Sequence, residues 1–460
     1  MITSREDNFC GNMSGEFIEG EKLIFAAVGD MQIERRLSVF DEERFLALFK
    51  VLKDADVALG HFEMNMPPQN SPQYSSGFVV RAEPWVVDEL KWAGFDLLSI
   101  AHNHSGDFGA PGVLCAKEHL EKAGIITAGA GRNLAEARAP GYLDTRVGRV
   151  ALISACSTFA PWLRAGEARP DHVGGPGING FRFSTRFIVN FKTFKEMRKI
   201  AQELGLIFRN DEEFSLPLPL FRGEVQFAVG DKSGVEMTAN KSDFEANIKS
   251  VKEAKGNADW AFVSFHSHEA KGRVNGTLIK DDEHNKSAEF VASFAHSCID
   301  AGADGFVGHG SHNLRGIELY KGKPIFHSLG NFIATLMTLP TIGYDTYEAM
   351  GLDPLYGSIL DVWVHKATVG LLGDVSKREH YYFETVVPVV TFEGGSLSDL
   401  KLYPVHLDPY GGLVRWREGR PWLAAGKQAE EIIRHLSNLS SPYGTEIEFD
   451  EEKGIGEVKF

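Results

Sequence analysis

Residues 302–332 read GADGFVGHGSHNLRGIELYKGKPIFHSLGNF. Gly305-Phe306-Val307-Gly308 is short, apolar and bounded by glycine, which predicts a buried strand rather than a helix. It runs directly into His309-Gly310-Ser311-His312, so two imidazoles fall on a tight loop at a strand's carboxyl end. Ligands bind at that end of open α/β sheets, and imidazole suits zinc, iron, copper or nickel. A single loop histidine commonly does nothing; two within four residues of a strand point to a metal. The continuation, Lys323 to Phe332, predicts the next strand and a glycine turn, where His327 reads equally as a hydrogen-bonded core residue.

The same alternation extends outward in both directions. Leu23 to Val28 predicts a strand closed by Gly29-Asp30, although a Gly-Asp pair is also a common turn or helix cap. An amphipathic helix over 41–53 leads to a strand over 55–60 ending in His61-Phe62-Glu63. A helix over 83–93 then leads to a strand over 95–100 that empties into Ala101-His102-Asn103-His104-Ser105-Gly106-Asp107, the densest polar cluster in the chain. Further on come a helix over 111–123, a short strand over 125–127, and Gly129-Ala130-Gly131-Arg132-Asn133 entering a helix over 134–138. That glycine turn could hold an anion through its backbone N–H groups, but it lacks Rossmann or P-loop spacing. A strand over 150–155 closes this half.

Residues 157–240 break the pattern with Gly/Pro clusters and a helix over 191–204. They predict an inserted lobe, a lid or a substrate-recognition element. Arg164, Arg169, Arg182 and Arg186 make it locally basic, which equally describes a solvated face. A helix over 243–255 and a strand over 260–265 then deliver His266-Ser267-His268-Glu269, and a helix over 287–301 feeds the opening stretch. Beyond it, Tyr344, Tyr347 and Tyr356 lie in a loop-rich segment. Strand-like runs at 358–364 and 381–390 and a closing helix over 430–439 are expected.

A chain of 460 residues with 43% hydrophobic and 24% charged residues is an ordinary globular composition, long enough for two or three lobes or one core with insertions. Its formal charge of −15 disfavours nucleic acid and anionic membrane as generic partners. Residues 1–21 are polar and dotted with glycine, which predicts a flexible lead-in without the basic start and apolar run of a secretory signal. No apolar run approaches the roughly 18 residues of a membrane span. Cys10, Cys115, Cys156 and Cys298 have no pairing motif, so the expectation is a cytoplasmic protein with reduced thiols. A homo-oligomer is compatible with the sequence.

Five strand-end positions thus carry Asp30, Glu63, Asn103-His104, His266 and His309-x-x-His312. These ligand types are too many for one tetrahedral ion and suit a pair of divalent ions sharing a carboxylate, with zinc, manganese and iron all acceptable. Such a centre activates water for hydrolysis. No GxSxG elbow supports serine chemistry.

Taken in order, Gly29-Asp30, Gly60-His61-Phe62-Glu63, Ala101-His102-Asn103-His104, Gly129 to Leu134, Ser264-Phe265-His266, Gly308-His309-x-x-His312, Gly316-Ile317-Glu318 and Ser328 to Phe332 resemble the CapA-like poly-γ-glutamate biosynthesis family, which has the calcineurin-like metallophosphatase fold. The resemblance covers roughly 22–156 and 243–335, with a tail near 430–445. It implies an α/β fold: a four-layer αββα sandwich of the metallophosphatase type, built from 22–156 and 241–460, with 157–240 as the inserted lobe. By position it implies Asp30, Glu63 as the bridging ligand, Asn103, His266, His309 and His312 at two metal ions, and His104 as general acid. Arg132, His268 and Glu269 are expected at a small or oligomeric anionic substrate, with Arg pairing carboxylate or phosphate. The bond cleaved is then a γ-glutamyl-type amide or a phosphoester, the amide being favoured; an accessory role in polymer synthesis is the alternative. Three departures stand out. Gln32 replaces the histidine of the metallophosphatase Asp-x-His pair, His61 and His102 replace asparagines, and the insertion and missing membrane anchor are unlike a polymer-export component.

Overall fold

Leu23, Phe25 and Ala27 face one way from the strand Leu23–Gln32 (β1), and Ala26 and Val28 face the other. All five are buried, because a strand covered on both faces is apolar throughout instead of alternating. The structure, a computed structural model, describes residues 22–74, 79–205, 213–217, 224–271, 273–274, 277–278, 285–335, 342–359, 361–362, 365, 381–409 and 417–460. The expected lead-in over 1–21 lies outside them.

β1 is central in a 10-stranded sheet. It runs parallel to Val57–Phe62 (β2), which pairs in parallel with Leu97–Ser99 (β3), itself parallel to Ile126–Ala128 (β4). On its other side β1 meets Glu384–Glu393 in antiparallel register, and its last residues also pair with Asn331–Ala334. A 6-stranded sheet has Gly305–His309, Trp260–His266 and Gly148–Cys156 side by side and parallel.

The two sheets face each other. Phe25 of the first stacks on Phe262 of the second with ring centroids 3.8 Å apart, inside a core that also holds Leu59, Leu152 and Val307. Burying each such ring contributes roughly 1.5–3 kcal/mol. The helix Glu43–Asp54 (α1) presents Phe45, Leu48, Phe49 and Leu52, spaced i, i+3, i+4 and i+7, to the outer face of the large sheet. Val263 and Phe306 on the outer face of the second sheet pack on Phe290 and Phe294 of the helix Glu289–Asp300. Helices therefore cover both outer faces, and the strand carboxyl ends of both sheets open on common ground.

Two expectations need correction. Residues 157–240 are less irregular than their composition suggests. Phe183–Val189 pairs with Glu224–Val229 and Gly234–Ala239 in a separate 4-stranded sheet, and the helix Phe191–Glu203 adds Phe194 and Ala201 to a small core. Within 358–364 the described residues Ile359, Asp361 and Val362 are helical, since so short an apolar run does not by itself separate strand from helix. No helix among the described residues is long and apolar enough to cross a membrane.

Candidate metal centre

Asp30 lies inside β1 rather than after it. Register against β2 shifts between Ala27 and Asp30, and against Asn331–Ala334 between Asp30 and Met31. Gly29 permits this: a Cβ there would stand 2.0 Å from the Gly330 carbonyl oxygen, the partner that accepts the Asp30 N–H at 2.9 Å. The Asp30 carboxylate accepts the Gly310 N–H at 3.1 and 3.3 Å. Gly310 has a φ of +88° and no room for a Cβ, which would fall 2.8 Å from His266 Nε2.

Adjacent parallel strands bring the histidines together, since His266 and His309 are cross-strand partners. His309 Nδ1 lies 3.6 Å from Asp30 Oδ1 and His312 Nδ1 3.4 Å from Asp30 Oδ2. His312 is left-handed, with a φ of 58°, and Asn331 Oδ1 stands 2.9 Å from its Nδ1. Strained backbone of this kind clusters at functional sites. From the other sheet, His61 Nε2 is 2.9 Å from His266 Nδ1. Glu63 accepts Gln32 Nε2 at 3.0 Å on one carboxylate oxygen.

Three sets of donor atoms each lie within 4.8 Å of one another: Asp30, His61 and His266; Glu63, His266 and His268; Asp30, Glu63 and His312. Asp30, Glu63 and His266 belong to two sets each. Among the described residues Glu63 Oε1, Asn103 Oδ1 and both ring nitrogens of His309 are buried without a hydrogen-bond partner. Orphaned buried polar atoms of this kind are costly unless something fills the gap. Oxygen and imidazole ligands in shared sets fit divalent cations.

The charges agree. Burial and the neighbouring Asp30 raise the Glu63 carboxyl. Burial works against a charged His312, yet Glu63 and Asp30 push it up to about 9, so the carboxylates draw a positive charge between them. Burial lowers His61 and His266 well below the ordinary imidazole value and takes His309 down to about 4. Neutral imidazoles present the lone pairs that a metal needs. His104 differs: burial opposes its charge, but Asp107, 2.9 Å from Nδ1, and Glu63 outweigh burial and raise it.

Of the expected residues, Asp30, Glu63, His266 and His312 fall in the donor sets, with His309 against Asp30. Asn103 opens the short helical turn Asn103–Gly106, which also carries His104. His268, expected at the substrate, shares a donor set with Glu63 and His266 instead. His61, read as a departure from a family pattern, stacks on His309 at 4.4 Å; its position two residues before Glu63 was the available signal. Arg132 is exposed and ion-paired to Glu136 at 2.8 Å. Glu269 is buried, one carboxylate oxygen accepting from Ser157, Thr158 and Ser267, so it ties two loops together. The basic look of 157–240 is also offset: Arg164 and Arg182 pair with Asp243, Arg169 with Asp171 and Arg186 with Glu236.

A family model described as Bacterial capsule synthesis protein PGA_cap matches residues 24–336. An uncharacterised protein, y4sH, of Sinorhizobium fredii is 32% identical over 459 residues, covering 97% of this chain and 95% of its own length. The capsule biosynthesis protein CapA of Bacillus anthracis is 24% identical over 324 residues, 68% of this chain and 60% of its own. A probable polyglutamine synthesis accessory protein of Mycobacterium tuberculosis is 42% identical over 59 residues, 13% of each chain.

Proposed function

The chain belongs to the bacterial capsule synthesis PGA_cap family, and from that premise we propose that it is a metal-dependent hydrolase of an amide bond in an anionic, γ-glutamyl-type substrate. The observation that carries this is the convergence of Asp30, His61, Glu63, His266, His268 and His312 in overlapping donor sets. In this reading Asp30, Glu63, His266, His268 and His312 hold one or two divalent ions, zinc, manganese or iron, with His61 orienting His266 and His309 and Asn103 beside them. A divalent ion so held supplies Lewis acidity and lowers the pKa of water, the chemistry of metal-assisted hydrolysis.

The chain's own residues do the rest. Asp107 and Glu63 keep His104 protonated beyond the ordinary imidazole range, so it can donate that proton to the leaving nitrogen as the carbon–nitrogen bond breaks. Gly310 N–H fixes the Asp30 carboxylate, and Glu269 fixes the loop whose Thr158 hydroxyl accepts the His268 N–H at 2.9 Å. We read the two facing sheets and their outer helices as the metallophosphatase-type αββα sandwich, and 157–240 as a lid. Cys115 and Cys298 are free thiols, which supports a reducing, cytoplasmic compartment.

A second reading has its own support: the relatives' names speak of capsule biosynthesis and of an accessory protein, which fits a non-catalytic part in making an anionic polymer. Metal analysis of the purified chain, with turnover assays on γ-linked glutamate oligomers and an aryl phosphodiester, separates the possibilities. Bound metal and oligomer cleavage are expected. Cleavage of the phosphodiester alone would move the assignment to a phosphoesterase, and no metal with no turnover would leave the accessory role.

A further inference from the structure

The chain leaves the metal centre along β1 and turns at once into a cleft. Residues 33–42 follow Gln32, and Arg35, Arg36, Phe40, Asp41, Glu42 and Arg417 line a hollow of about 400 Å³, a size that holds a small ligand. Arg35 is five residues from Asp30, so the two are at most about 17 Å apart along the chain. None of these six residues belongs to the donor sets of the metal centre.

The cleft is built before any ligand arrives. Buried Glu89 accepts the backbone N–H groups of Leu37 and Ser38 at 2.9 and 2.7 Å and pairs with Arg36 at 2.9 Å. Arg36 also lies over the Trp85 ring at 4.9 Å. On the other wall, Arg417 and the buried Arg420 bind Glu42 at 2.9 and 3.3 Å, and Arg420 stacks on Phe40 at 4.0 Å. Those charges are mutually engaged. Two others are not: Arg35 and Asp41 line the same hollow, are exposed, and have no hydrogen-bond or ion-pair partner among the described residues, each other included.

A fixed wall with one unengaged cation and one unengaged anion matches a ligand that carries both charges. A simple polyanion would meet Asp41 as a repulsive neighbour, and a simple cation would meet Arg35. We propose that this cleft binds the zwitterionic α-amino-acid head of a glutamate-type molecule, with Arg35 taking the α-carboxylate and Asp41 the α-ammonium. The amino-terminal unit of a γ-linked glutamate oligomer presents such a head, since its side-chain carboxyl carries the chain onward. The link to catalysis rests on the function proposed above: the cleft would hold the chain end while an internal bond reaches the metal centre.

Binding is tested apart from turnover, by calorimetry on the full chain with L-glutamate and with glutarate, which keeps both carboxylates and lacks the ammonium. Glutamate is expected to bind more tightly than glutarate. Arg35→Ala should weaken both at least tenfold. Asp41→Asn should weaken glutamate about fivefold or more and leave glutarate unchanged or tighter. Both positions are exposed, and matching melting curves for the variants establish that the fold is intact. Unchanged glutamate affinity in Arg35→Ala overturns the assignment. Glutarate binding at least as tightly as glutamate, with Asp41→Asn tightening both, also overturns it and leaves a plain anion site. Glutamate binding that follows the expected pattern, in a chain that cleaves no γ-linked oligomer, supports the cleft while refuting the hydrolase. Oligomer cleavage unaffected by either variant, with no glutamate binding, does the reverse.

Discussion

His61 Nε2 and His266 Nδ1 stand 2.9 Å apart with both rings fully buried, close enough that one of the two nitrogens carries the proton and the other accepts it. Burial, followed by the neighbouring histidines, holds both rings well below the ordinary imidazole value, so each is neutral. His61 Nδ1 is 2.6 Å from the Ser99 hydroxyl, and His266 Nε2 is 3.2 Å from His268 Nε2. Of the two proton arrangements that satisfy these contacts, the one that leaves a lone pair for a metal has His266 donating from Nδ1 to His61, His61 donating from Nδ1 to Ser99, and the Nε2 lone pair of His266 facing His268 and the donor sets. That is how an orienting partner fixes the tautomer of a ligating histidine.

Substitution at these two positions should therefore have unequal effects. His266→Ala removes a donor common to two sets and is expected to abolish stoichiometric metal and turnover together. His61→Ala is expected to weaken metal affinity about 10–100-fold, the usual cost of losing an orienting partner. Metal titration of both variants checks this; equal retention of metal by His266→Ala and the parent chain would remove His266 from the centre. His309→Ala should also lower metal content, because its imidazole lies 3.6 Å from Asp30.

His104→Ala should keep its metal and lose about 10²–10⁴-fold in kcat, the range of general acid catalysis. A general acid works while protonated, and the His104 pKa is raised, so activity should persist above the ordinary imidazole value and fall as pH rises through the elevated one. Asp107→Asn removes the largest raising influence, and the alkaline limb of the kcat profile should move to lower pH. A limb that stays in place in that variant would assign it to another group.

Much of this candidate site is legible because its residues close clear apolar runs, Asp30 within β1 and His266 and His309 at the last positions of their strands. Asp30, Glu63, His266 and His309 each stand at the end of such a run in the sequence. His61 was harder to see: it lies within β2 and is fully buried, where sequence alone does not separate a core histidine from a site residue. His268 and Glu269 are adjacent in sequence, yet one joins a donor set and the other braces loops, a distinction set by Ser157 and Thr158 from more than a hundred residues away. The small sheet within 157–240 is not legible locally, because Phe183–Val189 finds its parallel partner across an intervening helix and strand, and its residues are only half-buried.

Asp243 should matter for stability rather than chemistry. Its buried carboxylate accepts Arg164 Nη2 at 2.7 Å and Arg182 Nε at 2.7 Å, joining the stretch 157–240 to the helix Lys241–Asn257. Burial opposes the charge, but the Arg182 and Arg164 hydrogen bonds hold the carboxyl below its ordinary value of 3.8. Because the folded pKa is the lower one, this contribution is complete at neutral pH and is lost as pH falls through the depressed value. Asp243→Asn is expected to cost about 2 kcal/mol at pH 7, discounted because Arg182 is half exposed. The gap between the variant and parent in denaturant titrations should narrow toward pH 3; a constant gap would show that the charge is not what Asp243 contributes.

Gly310→Ala separates backbone strain from damage to the centre. The left-handed φ of +88° makes any side chain unfavourable there, and the new Cβ would also stand 2.8–3.0 Å from three atoms of the His266 ring. The same backbone N–H holds Asp30 at 3.1 Å, so relief of the clash must displace either the imidazole or the carboxylate. Gly322 offers the control, with a φ of +74° and nothing within 4 Å of its would-be Cβ. Both variants should lose about 1–2 kcal/mol of stability from left-handed strain. Only Gly310→Ala should lose metal affinity and turnover, and equal metal content in the two variants would show that the loop tolerates the displacement and does not set the geometry of the centre.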